Sequence, residues 1–141
     1  SMSGCNLRGS IPDTEEGGIS KLSQLRVFDV YDNDFTGTLP QGLASLVHLR
    51  ELIVSKNQFH GTIPQFVNDD LVMLEQFWAN MNDFSGTIPA FDKQPSISKL
   101  YLNGNEFTGQ IPDTFLEAAI TGPEGAGTTQ ENIQINLEEE I

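Results

Sequence analysis

The stretch NDFTGTLP runs from Asn33 to Pro40, and three close copies follow it: NQFHGTIP from Asn57 to Pro64, NDFSGTIP from Asn82 to Pro89 and NEFTGQIP from Asn105 to Pro112. A partial copy, CNLRGSIP, spans Cys5 to Pro12. The Asn positions step by 24 (33 to 57), 25 (57 to 82) and 23 (82 to 105) residues. A period in that range marks a solenoid of stacked coils, because one such unit is too small to bury its own apolar row.

Counting back from each Asn exposes that row. Leu22, Leu25, Phe28 and Val30 precede Asn33 by 11, 8, 5 and 3 residues. The same slots hold Leu46, Leu49, Leu52 and Val54, then Leu71, Leu74, Phe77 and Ala79. Before Asn105 they hold Gln94, Ile97, Leu100 and Leu102, so only the first slot fails. Phe28 and Val30 are two apart, so an extended strand points both to one side, the core, while the residues between them face out. Gly in each Phe-x-Gly step frees the backbone to turn, and Pro closes the segment without needing an N–H partner.

The combined pattern, L-x-x-L-x-x-L-x-L-x-x-N-x-F-x-G-x-I-P, resembles the plant-type leucine-rich repeat over roughly residues 5–112. The resemblance implies an α/β, right-handed solenoid of about four full repeats. Each repeat would place a short parallel strand on the concave face, with a second small strand or turn near Gly-x-Ile-Pro. It also implies a non-catalytic recognition module, as in plant receptor ectodomains and inhibitor proteins. Asn33, Asn57, Asn82 and Asn105 are expected to form a ladder, their amides bonding backbone groups that the turns leave unpaired. Cys5 takes the Asn slot of the partial repeat and is expected to be a buried ladder thiol.

The chain of 141 residues is read as a single domain. Residues 1–2 resemble a cleavage scar, residues 5–112 are repeats, and residues 113–141 are a degenerate last repeat or cap. Within that cap a short helix is expected over 113–119 and a loop over 122–130. Ile133, Ile135 and Leu137 alternate as in a strand covering the end of the core, with Glu138–Glu140 keeping its edge soluble. Asp13–Gly18 absorb the longer first interval as an acidic loop. With one Cys there is no intrachain disulfide, and no Asn-x-Ser/Thr sequon occurs. The expected setting is an extracellular segment, an ectodomain piece of a larger receptor-like or adhesive protein.

Twenty acidic against seven basic residues give a formal charge of −13. That balance argues against nucleic acid and against direct contact with an anionic membrane. No run approaches a transmembrane helix. No cofactor or metal motif appears. His48 and His60 are scattered, and the acidic pairs Asp69-Asp70 and Glu15-Glu16 lack calcium-loop spacing. No nucleophile or phosphate-binding motif points to an enzyme.

The outward strand positions supply the candidate ligand-binding surface. The middle row is Asp29, Ile53, Trp78 and Tyr101; one flank is Val27, Glu51, Gln76 and Lys99; the other is Tyr31, Ser55, Asn80 and Asn103. Stacked strands lie about 4.8 Å apart, so each row is a column of neighbours. Trp78 is the only Trp and sits beside Tyr101, and such residues dominate binding hot spots. Asp29, Asp32 and Glu51 favour a basic protein or peptide partner. Glycan binding is the runner-up, with the aromatic rings stacking on sugars and Asn80 and Asn103 bonding hydroxyls. Inert spacer repeats are a third reading, and solenoid ends allow a monomer or weak dimer. Ser10, Thr38, Thr62, Thr87 and Gln110 form a further row, for which an ordered-water (ice-binding) role is the lesser reading.

Overall fold

Ten short strands alternate around the stack in a computed structural model that describes residues 1–14, 17–114 and 133–134. One parallel sheet holds β2 (Val27–Asp29), β4 (Glu51–Ile53), β6 (Gln76–Trp78), β8 (Lys99–Tyr101) and β10 (Ile133–Gln134). The second holds β1 (Arg8–Gly9), β3 (Asp34–Gly37), β5 (Gln58–Thr62), β7 (Asp83–Gly86) and β9 (Glu106–Phe107), also all parallel. The connections are 3-10 turns at Ile19–Lys21 and Gln41–Ser45 and one short helix, α1 (Gln65–Asp69). Strand β10 pairs with β8 through Ile133 opposite Leu100. The expected helix beyond Thr114, the loop 122–130, Ile135, Leu137, the terminal glutamates and Glu15-Glu16 lie outside the described residues.

Between the sheets runs a continuous apolar core, with Leu46, Leu49, Leu52, Leu71, Leu74 and Phe77 fully buried. Phe35, Phe59, Phe84 and Phe107 stack face to face down its length, their ring centres 6.0, 6.2 and 6.5 Å apart and within 9° of parallel. The Phe two residues after each Asn is therefore a spine that passes from coil to coil.

Each Asn ties its own coil to the one before. Asn82 Nδ2 donates to the carbonyls of Val54 (2.9 Å) and Ala79 (3.2 Å), while its Oδ1 accepts from the Phe59 amide (3.0 Å). Asn57 and Asn105 repeat the arrangement with Val30, Val54 and Phe35, and with Ala79, Leu102 and Phe84. Asn33 reaches Met2 and Val30 and accepts from the amides of Cys5 and Leu7.

Three expectations are corrected. The Cys5 thiol is exposed, not buried, and bonds only the Ser3 carbonyl at 3.4 Å. It lies on the outermost described coil, so no neighbouring coil covers its far side. Leu22, placed in the buried row, is 51% exposed for the same reason. Ser55, read as outward-facing, is fully buried and donates to Asn80 Oδ1 at 2.7 Å. Gln94, the slot that breaks the leucine pattern, is buried nonetheless, its amide donating to the Val67 carbonyl at 2.7 Å.

Candidate functional site

The register of the first sheet brings the predicted rows together. Asp29 lies opposite Ile53, Ile53 opposite Trp78, and Trp78 opposite Tyr101. Val27, Glu51, Gln76 and Lys99 align the same way. Their inward neighbours Phe28, Leu52, Phe77 and Leu100 are buried, which fixes the strands and turns the outer residues to the surface. Ile53, Trp78 and Tyr101 are each half-buried. A half-buried ring keeps area for a partner while its neighbours hold its orientation.

Trp78 meets Tyr101 edge to face, with centres 5.0 Å apart and planes at 86°. Its indole N–H is buried and has no acceptor among the described residues. Such a group costs roughly 1–3 kcal/mol relative to a bonded one.

The flanks carry the charge. Asp29 accepts from the Tyr31 amide at 3.0 Å and from the Ser3 hydroxyl at 3.3–3.4 Å. Partial burial works to raise its pKa, but bonds from Ser1, Tyr31 and Ser3, with the nearby N-terminal ammonium, together hold its carboxyl below the ordinary 3.8. Asp29 is thus a firmly ionised carboxylate at one end of the aromatic row. Glu51 adds a second carboxylate alongside it, and Lys99 sits at the far end.

Tyr31, in the third row, lies under the Lys56 ammonium, 5.2 Å from the ring centre. Bonding to Tyr31 keeps that ammonium above its ordinary 10.5. Sequence reasoning missed Lys56, which stands at the corner just before Asn57 with φ of +52°. Asp32 (+57°), Met81 (+58°) and Gly104 (+67°) take the same left-handed corner in the other coils. The regular alternation stops at that corner, so side chains beyond it follow no period-two rule. Asn80 and Asn103 are half-buried, and Asn80 already accepts from Ser55.

No group of three or more His, Cys, Asp or Glu able to hold a metal occurs among the described residues. Asp69 takes an ion pair from Lys93 at 2.7 Å. No helix among those residues is long and apolar enough to cross a membrane.

The Leucine Rich Repeat family model matches residues 24–46, 48–69 and 96–117. The matched stretches and the two parallel sheets give this chain a leucine-rich-repeat fold. Similar solved structures are plant leucine-rich-repeat ectodomains. The BIR2 ectodomain from Arabidopsis thaliana aligns at 26% identity over 81% of this chain and 58% of its own, with a TM-score of 0.75. The plant peptide hormone receptor RGFR1, solved in complex with RGF2, aligns at 28% identity over 76% of this chain and 16% of its own (TM-score 0.70). The Arabidopsis receptor kinase HAESA, in complex with the peptide hormone IDA and the co-receptor SERK1, aligns at 30% identity over 92% of this chain and 19% of its own (TM-score 0.69). This leucine-rich-repeat chain therefore spans less than a fifth of those two hormone receptors. No curated protein sequence matches it.

Proposed function

We propose that this leucine-rich-repeat segment is a non-catalytic recognition module that binds a protein or peptide across its concave sheet, as part of an extracellular receptor-like chain. The observation that carries the reading is the half-buried row Ile53–Trp78–Tyr101, framed by the carboxylates of Asp29 and Glu51. An apolar anchor enters between Ile53 and the aromatic pair, and basic side chains meet the carboxylates. Gln76, Asn80 and Asn103 offer amides at the margins, and the half-buried Tyr31 extends the surface. The similarity to RGFR1 and HAESA, both solved with peptide hormones, supports a peptide as the partner class.

Glycan binding fits less well. Two rings at 86° cannot form one flat platform for successive sugar rings. The test is the affinity of a bound peptide for wild type and Trp78→Ala. A hot-spot aromatic predicts a loss of at least about 2 kcal/mol, roughly thirtyfold, with unchanged circular dichroism. Equal affinities would sink the proposal.

A further inference from the structure

We infer that Tyr31 and Asp32 form a subsite for an arginine side chain of the partner, and that Lys56 of the next coil occupies that place until the arginine displaces it. The subsite lies on the flank of the concave surface proposed above and rests on that reading for its partner.

The seat is visible because a cation already fills it. The Lys56 ammonium stands over the Tyr31 ring, 5.2 Å from its centre. Arg8, Arg50 and Lys93 instead pair with the carboxylates of Asp34, Glu75 and Asp69. Lys56 makes no such pair among the described residues, so the ring is its main hold.

The backbone aims that side chain. Lys56 takes the left-handed corner, with φ of +52°. Its amide donates to the Asn80 carbonyl at 3.0 Å, and its carbonyl accepts from the Asn33 amide at 3.2 Å. Ser55, just before it, is fully buried and bonded to Asn80. The main chain is thus pinned on both sides, while the Lys56 side chain is exposed and free to leave.

Tyr31 is held more firmly. It is half-buried, and its amide donates to Asp29 Oδ1 at 3.0 Å. Two carboxylates bracket it in sequence, the firmly ionised Asp29 before it and the exposed Asp32 after it. Bonding to Tyr31 and, less strongly, the charge of Asp32 keep the Lys56 ammonium above its ordinary 10.5, against a desolvation that works to lower it. The seat therefore favours positive charge, whichever chain supplies it.

Exchange favours a guanidinium. An exposed ammonium over a ring is a weak contact, and it is strongly hydrated. A guanidinium is less hydrated, stacks flat on the ring and donates two parallel bonds to a carboxylate. Asp32 is the carboxylate that such a fork meets beside Tyr31. Lys56, once displaced, returns to water at an exposed corner. It is an internal competitor that yields to arginine.

The probe is N-acetyl-arginine amide, titrated into the whole 141-residue protein and followed by NMR. The expected result is a saturable shift of the Tyr31 ring signals, with the Lys56 side-chain signals moving downfield as they leave the ring. N-acetyl-citrulline amide, the neutral isostere, should move neither. Lys56→Gln changes an exposed side chain, so the fold survives, and it should tighten arginine binding about two- to fivefold. Lys93→Gln removes the same charge beside Asp69 and should not tighten it at physiological salt, where charges beyond about 8 Å are screened. No Tyr31 shift, equal shifts with citrulline, or equal tightening in Lys93→Gln would overturn the subsite. An arginine-bearing peptide that needs Trp78 but binds Lys56→Gln no more tightly would sink the subsite and leave the concave reading standing. A Tyr31 response to arginine, with peptide binding indifferent to Trp78→Ala, would do the reverse.

Discussion

At the scale of single residues, the stack depends on polar side chains as much as on leucines. The Asn82 amide satisfies the Val54 and Ala79 carbonyls and the Phe59 amide inside the core. Asn82→Ala leaves those groups buried and unpaired, and should lower the free energy of unfolding by about 3 kcal/mol in urea titration. Asp29 gives a smaller and pH-dependent effect. Its folded pKa lies below the ordinary 3.8, so protonation opposes folding. The contribution is complete at neutral pH and is lost as the pH falls below about 4. Replacing Ser1 and Ser3 together by Ala removes two of the bonds that lower it, and should raise the Asp29 pKa in an NMR titration. The acid-unfolding midpoint should then move to slightly higher pH. The Asn ladder was legible because its slot recurs at a constant offset. Cys5 misled because the slot was legible but its end position was not: the pattern names a slot, and burial depends on what stacks upon it.

At the scale of the coil, the Gly-x-Ile-Pro step is a close contact between repeats. Gly86 has φ of +76°, and a Cβ there would stand 2.8 Å from the Thr62 methyl of the preceding coil. Gly86→Ala therefore combines left-handed strain with a collision, and should cost about 1–3 kcal/mol, read as a fall in thermal midpoint. The strands, their register and the two outward rows that lie on them followed from spacing alone, because a period of two leaves one choice once Phe28, Leu52, Phe77 and Leu100 face inward. The corners did not. Asp32, Lys56 and Met81 adopt positive φ without being Gly, so no residue type announces the turn that buries Ser55 and carries Lys56 over Tyr31.

At the scale of the whole molecule, stacking converts a one-dimensional spacing into a surface. Residues 23 to 25 apart in sequence become neighbours in a row, and the only Trp falls in the middle of it. The chemistry of the row was legible in residue types, but its geometry was not. Edge-to-face packing of Trp78 on Tyr101 leaves one compact aromatic anchor instead of a flat platform, which favours a side chain over a sugar as the guest. With a charge of −13, association with a basic peptide should be fast and should slow several-fold between low and physiological salt. Because Trp78 is the sole indole, its emission reports on this face and nowhere else. The most direct measurement is therefore Trp78 fluorescence during titration with a panel of basic peptides and of oligosaccharides, at low and high salt. A saturable shift with a peptide, weakened by salt and absent with glycans, is the predicted result. A shift driven by oligosaccharide and indifferent to salt, or silence across both sets, would contradict a peptide-binding concave face.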